Sequence, residues 1–348
     1  MSFSVKWLLA NATSTRLPKV IPRFTYLGAS AKIEVMDQWL GVVKHAKVYA
    51  DATAGSNNQP FMVGSTLGVP VLVNDASYYS HCIAQGLFHR TKKTNLKLFA
   101  QTLVDAVHDC NPEGIFTTTY LPGSGTIPTK VGSFVDGLVD LLDQRFDPPH
   151  ACFLKACIGV TIMTWCSFRS IQFSGKAGLT TKVFAAYAFN RAVANNHFHT
   201  PGEASYGDLR KFIETAPFKG ASVNFDPAWP FALKRKAPTN PYHFYTRVGD
   251  VLRQKIQKPT LFWKDPSSSK PVAHEFAGWV DICLTRGAKE VFAWNQDSNL
   301  PSEKFLVKIL TRHFKVKKVL SVEKNRIIGG KVFVDYVLRL RPKRSKEK

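Results

Sequence analysis

Acidic residues are scarce in this chain, and the cysteine spacings that build metal or disulfide frameworks are missing. Of 348 residues only 25 are Asp or Glu against 47 Lys or Arg, giving a formal net charge of +22 and an isoelectric point near 9.8. Such an imbalance favours a polyanionic partner, nucleic acid foremost. The cysteines, Cys82, Cys110, Cys152, Cys157, Cys166 and Cys283, form no CxxC pair and no Cys/His cluster. That argues against a metal site and leaves core thiols in a reducing compartment as the expectation. No apolar stretch approaches the ~20 residues a membrane span needs, and no long basic amphipathic helix is visible. Lys6 precedes Trp7-Leu8-Leu9-Ala10, an apolar run too short for a secretion signal. A cytoplasmic protein is expected, in which the Asn11-Ala12-Thr13 sequon has no meaning. There is no internal repeat, and low complexity is confined to residues 266–270 and the basic tail 339–348.

What is present is a chain of 45% hydrophobic residues, enough for one large or two modest cores. In residues 31–46 the apolar positions Ile33, Met36, Leu40 and Val43 mark one helical face. A strand is predicted at 47–50, then a turn-rich run at 51–58, a helix-like stretch, and a short strand at 69–73 ending in Asn74-Asp75. This alternation predicts a parallel sheet. It resumes with strand 221–225, helix 247–257, strand 260–263, helix 272–286 and strand 290–294. After a helix at 303–314, strands at 316–322 and 332–339 flank Gly329-Gly330, a closing antiparallel pair. The expectation is an α/β fold with seven strands, mostly parallel, ending in an antiparallel edge pair.

Residues 110–201 break the alternation and read as an inserted module, which leaves 1–109 and 202–348 as the sheet domain. Within the insertion a helix is expected to start at Ser133, with Ser133 and Asp136 as a capping box, and to end at Pro148-Pro149. Beyond it Arg169, Lys176, Lys182 and Arg191 are interleaved with Phe, Tyr and Asn. That mixture suits a nucleic-acid surface, and it equally describes a solvated helical subdomain.

Three short motifs carry chemistry. Asp51-Ala-Thr-Ala-Gly55 follows a predicted strand, and Gly55 lets a backbone approach a ligand at the carboxyl edge of a parallel sheet. Asp75 ends the next strand, where a carboxylate can accept hydrogen bonds from a ribose diol. Asp226-Pro227-Ala228-Trp229 follows the buried strand 221–225 and sets an acceptor, a fixed carbonyl and an aromatic face around one opening, a fit for a flat heterocycle bearing an NH2 group. Turn chemistry or helix capping explains each motif taken alone.

In order, Tyr26-Leu-Gly28-Ala-Ser-Ala-Lys32, Asp51 to Ser56, Asn74-Asp75, the insertion and Asp226-Pro-Ala-Trp229 resemble the Dam-type DNA adenine methyltransferases with their DPPY motif. The resemblance covers most of residues 22–110 and 205–340, and the insertion matches in placement only. It implies a Rossmann-like methyltransferase fold with a target-recognition insertion. It also implies S-adenosylmethionine as cofactor, with Asp51, Thr53 and Gly55 near its methionine part, Asp75 near its ribose, and Tyr26, Gly28 and Lys32 along the adjoining wall. Double-stranded DNA with a flipped adenine is the implied substrate. Asp226 and the Pro227 carbonyl would hold the amino group, Trp229 would stack on the base, and Tyr245 could flank it. Thr53, Asn57 and Ala228 depart from the family's usual Phe, Gly and Pro; Asn is the non-glycine residue that best tolerates a left-handed backbone. These departures keep two alternatives open: a catalytically degenerate nucleic-acid-binding subunit, or an amino-methyltransferase acting on RNA or cytosine.

Overall fold

The computed structural model describes residues 3–12, 22, 24, 35–109, 113–121, 127–165, 176–227, 229, 242–257, 263–296, 301–328 and 331–343, of which 109, 242–244, 324–328 and 331–333 are described by their backbone. Tyr26, Gly28, Lys32, Arg169 and Ala228 lie outside these residues, as do Gly329-Gly330 and all of the strand expected at 260–263 except Trp263.

Short apolar runs between turns become the central strands Val48–Asp51 (β1), Val71–Asp75 (β2), Ala221–Phe225 (β4) and Glu290–Gln296 (β5). They are buried along almost their whole length, as parallel strands covered on both faces must be. The seventh strand is Gly202–Tyr206 (β3), which the sequence reading passes over. Its Gly-Glu-Ala-Ser-Tyr run is half-exposed at the sheet edge and so needs no apolar stretch. The sheet order is β3-β2-β1-β4-β5-β7-β6, with β6 spanning Phe314–Ile328 and β7 Lys331–Pro342. Strands β1 to β5 pair in parallel, and β7 lies antiparallel between β5 and β6. The closing antiparallel pair therefore forms one edge of the sheet, as expected, with β7 paired to β5 and β6 outermost.

Helices cover both faces. On one lie α1 (Val5–Ala10), α2 (Met36–Val43), α3 (Asn58–Leu67), α4 (Tyr78–Ala84), α5 (Leu96–Asp109), α6 (Thr129–Arg145), α7 (Pro148–Trp165), α8 (Thr181–Asn195) and α10 (Tyr242–Arg253). On the other lie α9 (Leu209–Thr215), α11 (Ser269–Thr285) and α12 (Glu303–His313). The stretch expected as an inserted domain has no core of its own among the described residues. Phe134, Phe153, Phe184 and Phe189 belong to the same continuous cluster as Tyr49, Val73, Phe292 and Trp294 of the sheet.

Helix α6 starts at Thr129, so Ser133 and Asp136 lie inside it and form no capping box. Asp136, 1% exposed, instead accepts hydrogen bonds from the Phe116 and Thr117 amides at 3.0 and 2.9 Å, the Thr117 hydroxyl at 2.7 Å and the Gln254 amide at 2.8 Å. A buried carboxylate is tolerated because every lone pair is used. Pro148-Pro149 does stop α6, and the same pair opens α7, where a missing N–H costs nothing.

Candidate functional site

The strand order reverses between β1 and β4, since β2 and β3 stack to one side of β1 and β4 and β5 to the other. In open α/β sheets such a switch point leaves a crevice at the carboxyl ends of the strands. The parallel register sets Asp51 beside Val73 on one neighbour and Asn224 on the other. Asp75 and Asp226 each stand two residues further along, so all three carboxylates emerge on one rim.

The loop after β1 ties these strand ends together. The Ala52 amide donates to the Asn224 carbonyl and the Ala54 amide to the Asn74 carbonyl, both at 3.0 Å. Asp51, 1% exposed, accepts from the Thr53 amide at 3.1 Å and from the Asn224 side chain at 3.0 Å. Asp75 accepts from the Gly55 amide at 2.9 Å on one oxygen and from the Ser77 amide at 2.8 Å on the other. The Asp226 amide donates to Thr53 Oγ1 at 2.7 Å. One loop therefore ties the ends of β1, β2 and β4 together, binding the Asp51 and Asp75 carboxylates and the Asp226 backbone. Thr53, a departure from the family pattern, supplies the hydroxyl that anchors the Asp226 backbone.

Gly55 and Asn57 have φ of 56° and 58°, the left-handed backbone that the sequence associates with this loop. Asn57 is wholly buried, and its side-chain amide donates to Gly55 O and Ser80 O at 3.1 Å and to Ser80 Oγ at 3.2 Å. The Ser80 hydroxyl in turn donates to Gly55 O at 2.6 Å. With its side chain turned that way, Asn57 does not cap α3.

Polar atoms collect here without partners. Asn57 Oδ1, Asn58 Oδ1, both amide atoms of Gln59 and Asn224 Oδ1 are buried and find no hydrogen-bond partner among the described residues. Each such group costs about 1–3 kcal/mol unless a ligand or water satisfies it. Asn57, Asn58 and Gln59 are consecutive where the loop enters α3, and Asn224 is bonded to Asp51 at the start of the same loop. Apart from Asn57, sequence reasoning missed these residues, and the available signal was Asn224, an amide in the middle of an otherwise buried strand.

Beyond Asp75 the wall is aromatic and cationic. The Tyr78 ring lies 5.6 Å from Tyr206 and 5.8 Å from His81, and the Arg253 guanidinium sits 5.4 Å over Tyr206 and 5.8 Å over Tyr78. Tyr206 donates to Gln257 Oε1 at 2.8 Å, and the Gln257 side chain donates to the Ala76 carbonyl at 2.9 Å. Burial lowers the His81 pKa to about 4, with His89 and Arg253 adding to the effect against a backbone hydrogen bond with Ser205.

Asp226 is half-buried at the end of β4, and Pro227 is buried behind it. The Trp229 amide donates to the Pro227 carbonyl at 2.7 Å. The expected stacking role of Trp229 does not survive. Its ring is 5% exposed, packs against Trp263 and Phe276 at centroid distances of 5.1 and 5.2 Å, and donates its indole N–H to the Trp294 carbonyl. Apolar burial on that side of the sheet outweighs any advantage of leaving an indole open. Tyr245 is likewise no base-flanking ring, since it is 2% exposed and stacked on Tyr79 at 6.3 Å.

Of the described cations expected to bind nucleic acid, Lys182 and Arg191 do not converge. Lys176 and Lys182 are exposed, whereas Arg191 is half-buried near enough to Tyr79 and Cys157 to lower both their pKa values against the larger opposing effect of burial. Lys182 and Arg191 stand about two and a half turns apart on α8 at 3.6 residues per turn, on opposite sides of the helix. Among the described residues no cluster of His, Cys, Asp and Glu could hold a metal, and no helix is long and apolar enough to cross a membrane. Cys82, Cys152, Cys157 and Cys283 are buried free thiols. Compared with known proteins, the chain matches no family model, and no curated protein matches it.

Proposed function

We propose that this protein is an S-adenosylmethionine-dependent methyltransferase acting on the exocyclic amino group of adenine in DNA. The observation that carries the reading is the junction of Asp51, Asp75 and Asp226 through one loop at the switch point of the sheet.

The residues present fit the cofactor's chemistry. Asp75 ends β2 with its carboxylate fixed by the Gly55 and Ser77 amides, at the strand end where dinucleotide sites place the acid that binds a ribose diol. The unpartnered oxygens of Asn58, Gln59 and Asn224 suit the ammonium of a methionyl group. Bound there, S-adenosylmethionine supplies a methyl group made electrophilic by its sulfonium.

The work of Asp226 and Pro227 is on the acceptor. An aromatic amino nitrogen is a poor nucleophile because its lone pair is delocalised into the ring. The Asp226 carboxylate and the second lone pair of the Pro227 carbonyl accept its hydrogens, turning them out of the ring plane and freeing the lone pair. The Thr53 hydroxyl anchors the Asp226 backbone and the Trp229 amide binds the Pro227 carbonyl, which limits the reorganisation needed at the moment of transfer. An adenine must leave its duplex stack to reach them.

The buried ring of Trp229 favours a second reading, a nucleic-acid-binding subunit that keeps the cofactor fold and has lost transfer. Calorimetric titration with S-adenosylmethionine separates the outcomes. Saturable binding that Asp75→Ala abolishes supports the cofactor site, binding without transfer supports the second reading, and no heat with wild-type protein removes both.

A further inference from the structure

The last two strands outrun the rest of the sheet. β5 ends at Gln296, paired with Asp335 of β7. Beyond that point β6 and β7 continue paired with each other: Glu323 with Val334, Lys324 with Phe333, Ile327 with Val332 and Ile328 with Lys331. Because β7 is antiparallel to both neighbours, β6 runs the same way as β4 and β5. The two-stranded ribbon therefore leaves the sheet at its carboxyl rim, the rim that carries Asp75 and Asp226. A bulge at residues 325–326 of β6 interrupts the ladder, so the reach is set by β7 residues 331–334, about 13 Å at ~3.3 Å per residue. With strands about 4.8 Å apart, β6 lies roughly 14 Å from β4.

The ribbon's composition is unlike that of its base. Residues 324–334 include Lys324, Arg326 and Lys331 and no acid, together with Ile327, Ile328, Val332 and Phe333. Glu323 and Asp335 stand where the ribbon departs from the sheet. Like charge disfavours pairing two such ribbons from different copies. A duplex suits the ribbon better, since a two-stranded β-ribbon fits a major groove and an acid-free run with three cations is drawn to phosphates.

We propose that the β6–β7 ribbon is a nucleic-acid arm that grips a DNA duplex roughly four nucleotides from the base presented to Asp226, at a rise of about 3.4 Å per nucleotide. Its placement relative to that base rests on the proposed function, while its affinity for the duplex does not.

The test is fluorescence anisotropy of the full chain with a short labelled DNA duplex, without cofactor, across a range of salt. The variant K324A/R326A/K331A is compared with K47A/K219A/K289A, which removes equal charge from exposed lysines just before β1, β4 and β5 on the opposite rim. The arm variant is expected to bind at least about tenfold more weakly and to lose roughly 2–3 units of salt slope, with Arg326→Ala alone losing about one. The opposite-rim variant should change much less. Equal weakening by both triples, wild-type binding by the arm variant, or a loss seen with phosphatidylserine vesicles and not with DNA would overturn the proposal. A chain that binds no S-adenosylmethionine still gives a decisive answer here, so the two readings fail separately.

Discussion

Replacing Asn57 by glycine and, separately, by alanine isolates what holds the loop that joins the three strand ends. Both changes delete the amide that donates to Gly55 O and to Ser80. An NH2 group has two hydrogens, so at about 0.5–1.5 kcal/mol per bond the loss is roughly 1–3 kcal/mol in either variant. Removing Asn57 Oδ1, which is buried without a partner, offsets part of it. Only alanine then meets the φ of 58°, which glycine adopts without steric cost. Even after the greater unfolded-state entropy of glycine, alanine should be the less stable by about 1 kcal/mol. Urea unfolding of the two variants in parallel measures that difference directly. An alanine variant as stable as the glycine variant would refute the claim that this position is held by backbone conformation.

Thr53→Val keeps the shape of the side chain and removes the acceptor of the Asp226 amide, so it should cost about 1–2 kcal/mol in urea unfolding, with Thr53→Ser close to wild type. His81 supplies a pH test. Its folded pKa is depressed to about 4 by burial, below an unfolded value near 6.5, so the unfolded state binds the extra proton. Stability should fall as pH drops from about 6.5 toward 4 and level off below, by up to roughly 3 kcal/mol, and His81→Gln should flatten that part of the curve. A wild-type curve flat across that window would contradict the burial of a neutral imidazole.

Some of this was legible in the sequence. The buried strands announce themselves as short apolar runs, and the acid at the end of each sets the candidate rim before any coordinate is known. The left-handed Asn57 follows from its place in a glycine-loop pattern, and its side chain then finds Gly55 and Ser80. Other features are settled by packing that no local pattern encodes. β3 is a half-exposed edge strand whose polar residues look like loop. Asp136 reads as a helix cap, yet it is drawn into the interior by the Phe116 and Thr117 amides. Trp229 and Tyr245 look like base-stacking rings because aromatic type is visible in sequence and burial is not; each is claimed by neighbouring rings. The orphaned amides of Asn58 and Gln59 could not be foreseen, since being unpartnered is a property of three-dimensional surroundings.

The central claim is that the rim of β1, β2 and β4 transfers a methyl group to an adenine amino nitrogen. Its most direct test incubates the full chain with labelled S-adenosylmethionine and, in parallel reactions, duplex DNA or RNA, digests the product and identifies the labelled nucleoside by mass spectrometry, with Asp226→Ala alongside. Label in N6-methyladenine is expected, reduced roughly a hundredfold or more by Asp226→Ala, equivalent to about 3 kcal/mol of transition-state stabilisation. Label at the same level in both proteins, or in RNA and not in DNA, would contradict it.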